Sequence, residues 1–456
     1  MDKQSKLSWK QLLGLGTLLF GLFFGAGNVI FPVKMGQDAG ARFFPASIGF
    51  ILTAVGLPIL GIISSALSKE KSIVGFVMPC GKKFAYFYSI LLYLTIGPFF
   101  AIPRTATVAF EVGIRTYTGA HSGIYLFIYS LVFFILVWIF SMKANRIMDV
   151  VGRFMTPLFI ILCGILVIAV FISPASRPSE NIPITPYDTQ ALSQGMLDGY
   201  NTMDALASLV FAGVIMTSLN RMGVTEDREV AVSTLKASLF TILFFVLLYG
   251  SFVYLGASSR PLTPEGQNGG VIMAYVSRHY FGFAGQILLA LIIGVACLKT
   301  AIGLIVSLSQ AFHELFPAVS YKSFQIAFIL VAFLIANFGL DQIIQWSVPV
   351  LMFLYPLAIV LIFLRFLKTA FPAKITNLHF QLTCLMAGMV GIFDFLKALP
   401  DFARTWSPIA KLIQWADGTI PFYKSGLGFF IPAVLGFTLA AIITGLRKAR
   451  SKRRPN

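Results

Sequence analysis

The residues best placed to do chemistry lie in an apolar segment, residues 20–32, which is interrupted at its middle by Gly25, Gly27 and Asn28. Glycines allow a ligand to approach the main chain, and an asparagine amide can serve a cation or a carboxylate. Irregular backbone at membrane depth is tolerated only where it is buried in protein or lines a site. The pattern therefore indicates non-covalent binding of a zwitterion, although Gly-x-Gly also permits close helix packing.

A second span, residues 195–213, combines glycines with polar side chains. Acids inside a membrane are functional candidates by default, whereas acids at a helix end can simply cap it. Asp198 and Asp204 leave both interpretations open. We expect this span to break within residues 208–213, where main-chain groups would face a substrate and Phe211 would form a hydrophobic wall.

Two cations also fall within apolar spans. Placing the ammonium of Lys299 near the middle of a bilayer costs on the order of 3 kcal/mol. It could stand where a sodium ion would otherwise sit, carry a proton, or be a structural lysine with a salt-bridge partner. Arg104 follows Pro103 and either extends towards the membrane surface or pairs with Asp204 or Glu111.

The sequence offers no cluster of nucleophile, base and metal ligands, so neither an enzyme nor a bound cofactor is predicted. The cysteines form no CxxC pair and are expected to be small apolar core residues. The histidines show no ligand spacing. These residues are Cys80, Cys163, Cys297, Cys384, His121, His279, His313 and His379.

The elements that must position these residues are membrane helices. The chain has 456 residues, of which 57% are hydrophobic and 12% are charged. Its long apolar runs predict twelve transmembrane helices in a single membrane domain, residues 1–456. The runs are centred near residues 22, 54, 95, 132, 161, 206, 244, 296, 330, 354, 387 and 435.

The Lys and Arg residues that give the net charge of +17 are unevenly distributed among the predicted loops. Most Lys and Arg residues fall on one side when both termini are placed in the cytoplasm, as the positive-inside rule requires. The basic tail, residues 448–456, then lies beside the inner surface as a contact for anionic lipid, and a nucleic-acid partner is not expected. The N-terminal apolar stretch lacks a cleavage site and is retained as the first helix.

Helix 1 enters from the cytoplasm and helix 6 from outside, as an inverted repeat of five helices requires. Five-plus-five repeats with two appended helices account for all twelve. The proposed segments are residues 10–172, 195–368 and 377–447, followed by the tail.

Three motifs carry a family resemblance: Gly-Leu-Phe-Phe-Gly-Ala-Gly-Asn-Val-Ile-Phe-Pro from residue 21, Gly-Tyr-Asn-Thr-Met-Asp-Ala-Leu-Ala from residue 199, and Cys-Leu-Lys-Thr-Ala-Ile-Gly-Leu from residue 297. Together they resemble the bacterial branched-chain amino acid carriers of the BrnQ type. The resemblance implies a multi-pass carrier in the bacterial plasma membrane with the wider five-plus-five fold of the leucine transporter. Its expected partners are leucine, isoleucine or valine, a coupling Na⁺ or H⁺, and the lipid bilayer.

The resemblance also implies roles for particular residues. The substrate's carboxylate and amine would be held by Gly25, Ala26, Gly27, Asn28, Ser208, Leu209, Phe211 and Gly213. Cation coupling would involve Gly21, Phe24, Asn28, Lys299 and Thr300. Coupling or gating roles are expected for Asp204 and Arg104. Apart from sodium, no metal is expected.

Lys299 is a departure from the family, in which a threonine usually precedes Thr300. An ammonium pointing to the second cation site would replace sodium there, so we expect uptake to proceed without sodium. The other functions left open are exchange or facilitated passage of other neutral amino acids and, outside transport, membrane sensing of an amino acid.

Overall fold

A computed structural model describes residues 7–68, 70, 72–118, 122–142, 161–224, 227–264 and 266–452. Predictions that fall on His121, on the start of the fifth helix before residue 161 and on the end of the basic tail, 453–456, lie outside the described residues. All regular secondary structure in the described ranges is helical. The predicted all-α class is confirmed.

Among the described residues up to residue 172 there are ten α-helices. A 3-10 turn, Gly40–Arg42, separates α2 from α3, and a π-helical turn, Leu52–Gly56, joins α3 to α4. The helices are α1 Trp9–Phe23, α2 Gly27–Ala39, α3 Phe43–Ile51, α4 Leu57–Ser68, α5 Ile73–Val77, α6 Lys82–Leu94, α7 Ala101–Gly113, α8 Arg115–Thr118, α9 Ser122–Ser141 and α10 Ile161–Ile172.

The described residues beyond residue 172 form ten more α-helices. The longest of them, α14, changes direction at Gly282, where φ is +63°. The helices are α11 Tyr187–Tyr200, α12 Asp204–Arg221, α13 Asp227–Ser258, α14 Gly269–Leu315, α15 Tyr321–Ala336, α16 Leu340–Ala370, α17 Asn377–Lys397, α18 Asp401–Arg404, α19 Ser407–Thr419 and α20 Phe430–Lys452.

Length and hydropathy identify the membrane-crossing segments. In the described ranges, eight helical segments are long and apolar enough to cross a bilayer, and the bent pair α11 and α12 makes a ninth. Shorter apolar helices occur at α1, α10 and α15. The chain is therefore a polytopic membrane protein, while the count of twelve and the inverted repeat stay predictions.

The first transmembrane segment is broken where the glycines lie. α1 ends at Phe23, the next residue, Phe24, is extended with ψ of 104°, and α2 begins at Gly27. A helix end leaves carbonyl groups free on one side of such a gap and N–H groups free on the other. The predicted break in helix 1 is confirmed.

The sixth segment is also broken, but not where the sequence pattern placed it. α11 ends at Tyr200 and α12 begins at Asp204, and Met203 between them has φ of +64°. Residues 208–213 lie inside the continuous helix α12. The expected position of the second break was wrong, because the glycines of this span serve packing instead.

That packing brings α11 very close to α3. A Cβ built on Gly195 would lie 2.1 Å from the carbonyl oxygen of Ala46, and one built on Gly199 would lie 2.0 Å from Oγ1 of Thr53. Small residues allow such close approach between membrane helices. This contact fixes α11, the first half of helix 6, against α3 and the turn that follows it.

Helix 3, which comprises α6 and α7, is distorted at its middle. α6 ends at Leu94, and a π-helical turn over Thr95–Phe99 follows, in which Gly97 leaves helical geometry and Pro98 removes a donor. α7 begins two residues later and packs along α14. This arrangement places Arg104, in the first turn of α7, against the break of helix 6.

Candidate functional site

The break in helix 1 is closed by a side chain of its own segment. Oδ1 of Asn28 accepts a hydrogen bond from the N–H of Gly25 at 2.8 Å, and Asn28 is only 1% exposed. The amide thus satisfies one backbone donor that the break releases. Asn28 is at the centre of the site, as the sequence predicts.

The same amide joins three helices. Its Nδ2 donates to Oδ2 of Asp204, at the start of α12, and to the hydroxyl oxygen of Tyr249, on α13, each at 2.5 Å. The Tyr249 hydroxyl lies 3.3 Å from Oδ2 of Asp204 and donates to it. Both partners are buried. Asp204 therefore does not cap the helix towards water, and the two breaks are held together by a buried polar network.

Tyr249 is a site residue that the sequence reasoning missed. It is fully buried within α13, a helix otherwise rich in apolar residues. Buried tyrosine hydroxyls usually have a hydrogen-bond partner. A tyrosine at the middle of an apolar span was therefore an available signal.

A central cavity lies between the two breaks. Its volume is about 60 Å³, well below the roughly 300–1,000 Å³ of pockets that hold drug-sized ligands. Polar and apolar residues both contribute to its wall. They are Leu22, Phe23, Gly25, Ala26, Gly27, Asn28, Ile96, Ala101, Arg104, Thr105, Thr202, Met203, Asp204, Ala207, Phe211, Thr300 and Leu304.

Arg104 spans from helix 3 to the break in helix 6. Nη1 donates to the carbonyl oxygen of Asn201 at 2.7 Å, and Nη2 donates to Oγ of Ser347 at 2.9 Å. The guanidinium also lies over the ring of Phe31, 4.9 Å from its centroid. The expected pairing with Asp204 or Glu111 was wrong, since neither carboxylate forms an ion pair with Arg104 among the described residues.

Lys299 lies beside the inner half of helix 1. A Cβ built on Gly21 would be 3.6 Å from Nζ of Lys299, which places the ammonium near the carboxyl end of α1. Thr300 contacts Gly25 instead and donates its hydroxyl proton to the carbonyl oxygen of Ala296 at 3.1 Å. Lys299 is half-buried and has no ion pair among the described residues.

The residues expected from helix 6 are only partly brought to the cavity. Phe211 lines it, with its ring 6.1 Å from that of Phe23. Ser208 is fully buried and donates to the carbonyl oxygen of Ala205 at 2.6 Å, on the side that meets Gly61. Leu209 is buried in the core, and Gly213 lies further along α12, where its carbonyl oxygen accepts from Thr217 at 2.8 Å. Their place at the break is taken by Thr202, Met203 and Asp204.

A second, outer cavity of about 290 Å³ lies beyond the central one. Phe31 and Asn201 line it, and these two residues contact Arg104 on their other side. Asp198, which is half-buried, also lines it and accepts hydrogen bonds from the Tyr187 hydroxyl and from Nε2 of Gln194. A layer of Phe31, Asn201 and Arg104 therefore separates the two cavities.

This arrangement is suited to binding rather than to covalent chemistry. In the described part of the chain no group of three or more His, Cys, Asp or Glu residues could hold a metal ion. The central cavity instead joins charged and hydrogen-bonding groups to an apolar wall. Such a mixture suits a small molecule with a polar head and an apolar body.

The family model for branched-chain amino acid transport proteins matches residues 8–447. This chain belongs to that family. The transport protein is 40% identical over 452 residues to the branched-chain amino acid permease BrnQ of Lactobacillus delbrueckii subsp. lactis, covering 98% of this chain and all of the relative. It is 38% identical to BrnQ of Bacillus subtilis (strain 168) over 98% of this chain and 99% of that relative. The resemblance inferred from the three motifs is confirmed.

Solved structures agree on the fold of the transport protein. MhsT in complex with L-phenylalanine matches with a TM-score of 0.57 at 17% identity, covering 96% of this chain and all of that one. Mhp1, a nucleobase-cation-symport-1 family transporter, matches with a TM-score of 0.58 at 14% identity, covering 92% and 96%. These likenesses confirm the leucine-transporter type of fold. The named permeases confirm that the protein is a transporter and not an enzyme.

Proposed function

We propose that this protein imports leucine, isoleucine and valine by symport with a cation, through alternating access. The observation that carries the proposal is the central cavity, where the breaks of helices 1 and 6 meet through Asn28 and Asp204. The curated relatives are named branched-chain amino acid permeases, which supports the substrate class. Broken helices that meet at mid-membrane are the usual binding sites of secondary transporters.

The polar and the apolar parts of the cavity wall would bind different parts of the substrate. The first turn of α2 offers free N–H groups to a carboxylate, since a helix amino end is electropositive. Apolar side chains, including Leu22, Phe23, Phe211 and Leu304, would surround the branched side chain. Because the cavity, at about 60 Å³, is much smaller than ordinary ligand pockets, loading would require these side chains to move apart.

Access from outside would be controlled by the layer between the two cavities. Release of the Arg104 bond to Asn201 and a swing of the Phe31 ring would join the outer and central cavities. The outer halves of helices 1 and 6, which are α2 and α11, would move against two other helices. These are helix 3, formed by α6 and α7, and helix 8, the part of α14 after Gly282. The amino acid would enter through the outer cavity and bind in the central cavity.

Lys299 would couple transport to protons. Its ammonium lies beside Gly21 at the carboxyl end of α1, which is the electronegative end of a helix and would otherwise attract a cation. A lysine there provides the positive charge itself, so this position would not need sodium. Loss of the proton would free α1 to move.

The wider organisation follows from the same proposal. The carrier would lie in a bacterial plasma membrane with both termini in the cytoplasm, as the distribution of Lys and Arg favours. Residues 10–172 and 195–368 would form the inverted repeat, followed by the helices of residues 377–447 and the basic tail.

The test is uptake of labelled leucine into proteoliposomes under a proton gradient or a sodium gradient. We expect accumulation with protons alone in the wild type and its loss in Lys299→Thr. Lys236→Thr, which changes an exposed lysine of α13, is the matched control and should keep full uptake.

The other outcomes are informative. Accumulation that requires sodium and is unchanged in Lys299→Thr would overturn coupling through Lys299. Uptake only into vesicles preloaded with amino acid would establish an exchanger. Binding of leucine without any uptake or counterflow would favour a sensor.

A further inference from the structure

The central cavity is lined by one basic and one acidic side chain that do not pair with each other. Arg104 on α7 is 3% exposed, and Asp204 at the start of α12 is 4% exposed. Both line the cavity. Among the described residues they form no ion pair with one another or with any other charged side chain. Buried charges without a partner are costly, which makes both groups candidates for a ligand.

Arg104 retains unused donors. A guanidinium has five N–H donors, and with the residues that the structure describes Arg104 forms two hydrogen bonds, to Asn201 and to Ser347. Its Nε is buried and has no hydrogen-bond partner among the described residues. The two bonds hold the guanidinium in place at the cavity wall. A fixed, planar fork with free donors matches the geometry of a carboxylate.

Asp204 is placed to bind the ammonium group of a ligand. Hydrogen bonds from Asn28 and Tyr249 to Oδ2 fix its carboxylate without supplying a positive charge. The nearby guanidinium contacts Asn201 rather than this carboxylate. An ammonium group entering the cavity would therefore find a carboxyl group fixed in position to act as its counter-ion.

We propose that Arg104 and Asp204 recognise the two charged groups of an α-amino acid, with the carboxylate bound by Arg104 together with the N–H groups of the first turn of α2, and the ammonium bound by Asp204. This inference rests on the proposed function and names the feature of the substrate that the site selects. The apolar wall selects the side chain, and the two charges select the zwitterion. Amines and acids with the same branched side chain would leave one buried charge unpaired and be rejected.

Arg104 also links this recognition to access. The same guanidinium bonds to the carbonyl oxygen of Asn201 in the break of helix 6 and stacks on Phe31. The residue proposed to bind the carboxylate is therefore also part of the layer between the two cavities.

The test is competition against labelled leucine on the purified, full-length protein in nanodiscs. The competitors are unlabelled leucine, isoamylamine, which lacks the carboxylate, and 4-methylpentanoate, which lacks the ammonium. The wild type should prefer leucine over each analogue by at least about 100-fold, since sites built for a polar group reject ligands without it. Arg104→Gln should weaken leucine binding about 30-fold or more and leave isoamylamine binding nearly unchanged.

Asp204→Asn should show the reciprocal result, with the preference for leucine over 4-methylpentanoate falling to within about threefold. Arg278→Gln, which changes an exposed arginine of α14, should leave all three affinities unchanged. Arg104→Lys keeps the charge and loses the fork, so it should retain selectivity against isoamylamine with weaker leucine binding. It also tests the inference if Arg104→Gln does not fold.

The ratio of affinities separates recognition from a structural role. If Arg104→Gln weakens leucine and isoamylamine by the same factor, or changes neither, Arg104 does not bind the carboxylate and the inference is wrong. If the wild type fails to bind leucine at all, the proposed substrate class fails first. Leucine binding with no selectivity against the analogues would overturn the inference alone.

Discussion

The breaks of helices 1 and 6 lie side by side but are stabilised in different ways. In helix 1 the sealing group is local, because Asn28 accepts a hydrogen bond from Gly25 three residues earlier. In helix 6 the break contains no glycine, and its carbonyl groups are held from other helices: Arg104 bonds to Asn201 and Tyr355 bonds to Tyr200. One break is specified by its own residues and the other by its surroundings.

The glycines show the same difference. Gly25 has room around it, since an added Cβ would lie 3.6 Å from its nearest neighbours, Asn28 and Thr300. Gly199 has none, because an added Cβ would lie 2.0 Å from Oγ1 of Thr53 and 2.9 Å from the carbonyl oxygen of Phe50. Glycine in helix 1 exposes main chain to the cavity, whereas glycine in helix 6 permits contact with a neighbouring helix.

The largest effect is expected from Asn28→Ala, since this side chain contacts both breaks. It removes the acceptor for Gly25 and the donors to Asp204 and Tyr249, and breaking such a buried network leaves several polar groups unsatisfied. We expect kcat/KM for leucine uptake to fall by about 100-fold or more. Uptake in proteoliposomes at matched protein content measures this.

The control is Asn337→Ala at the end of α15, where the side chain donates to the carbonyl oxygen of Phe333 at 2.7 Å and accepts from the Ser130 hydroxyl at 3.4 Å, neither of which belongs to a helix break. Its uptake should stay near that of the wild type. Near-normal uptake in Asn28→Ala would show that the two breaks are not held together through this amide.

A large effect on stability is expected from Gly199→Ala. Its Cβ would overlap Thr53 and approach the backbone of helix 2, and overpacking of this kind costs about 1–3 kcal/mol. We expect a lower thermal unfolding midpoint in detergent. Gly25→Ala should unfold close to the wild type, since its contacts are of ordinary length.

Gly250→Ala, on α13, is the matched control because nothing lies within 4 Å of the added Cβ. It should be as stable as the wild type or slightly more stable, since alanine is the better helix former. If Gly199→Ala also unfolds at the wild-type temperature, the close contact between α11 and α3 is not required.

A smaller effect is expected from Tyr355→Phe. The change keeps the ring, which stacks on Tyr200 at 4.0 Å, and removes the donor to the Tyr200 carbonyl oxygen at 2.9 Å. The Tyr200 carbonyl oxygen still accepts from the Met203 N–H at 3.0 Å, so the change removes one of two hydrogen bonds, worth about 0.5–1.5 kcal/mol. We expect leucine uptake to fall by about threefold, as measured from initial rates.

Tyr423→Phe is the control, because the Tyr423 hydroxyl is buried without a partner among the described residues. Its removal should leave uptake unchanged. Equal effects of the two substitutions would show that the break of helix 6 does not depend on its neighbours for hydrogen bonds.

The sequence predicted some parts of the site well, for physical reasons. Gly25 and Gly27 make the backbone flexible at the break, and Asn28 caps it. A local sequence pattern was therefore sufficient to predict this break. Lys299 could be identified from the sequence because placing a cation in an apolar span has a high free-energy cost. Its position beside Gly21 agrees with the expected location, while its role in coupling stays a prediction.

Other parts could not be read from local pattern. The second break was expected at residues 208–213, but it lies at residues 201–203, where Met203 adopts positive φ despite having a side chain. Arg104 was expected to pair with a carboxylate or extend outward, yet it bonds to a main-chain carbonyl group and a serine. Tyr249 stands out in the sequence only as a tyrosine within an apolar span, and its partners, Asn28 and Asp204, are identified by the structure.

The sequence by itself determined that this protein is an all-helical membrane protein of the branched-chain amino acid transport family, with a broken first helix. Long apolar runs and a cap next to its own break are local properties, so they can be read along the chain. The tertiary structure alone decided where helix 6 breaks and which charges face the central cavity. Those features depend on hydrogen bonds between residues as far apart as Arg104 and Asn201, or Asn28 and Asp204, which only folding brings together.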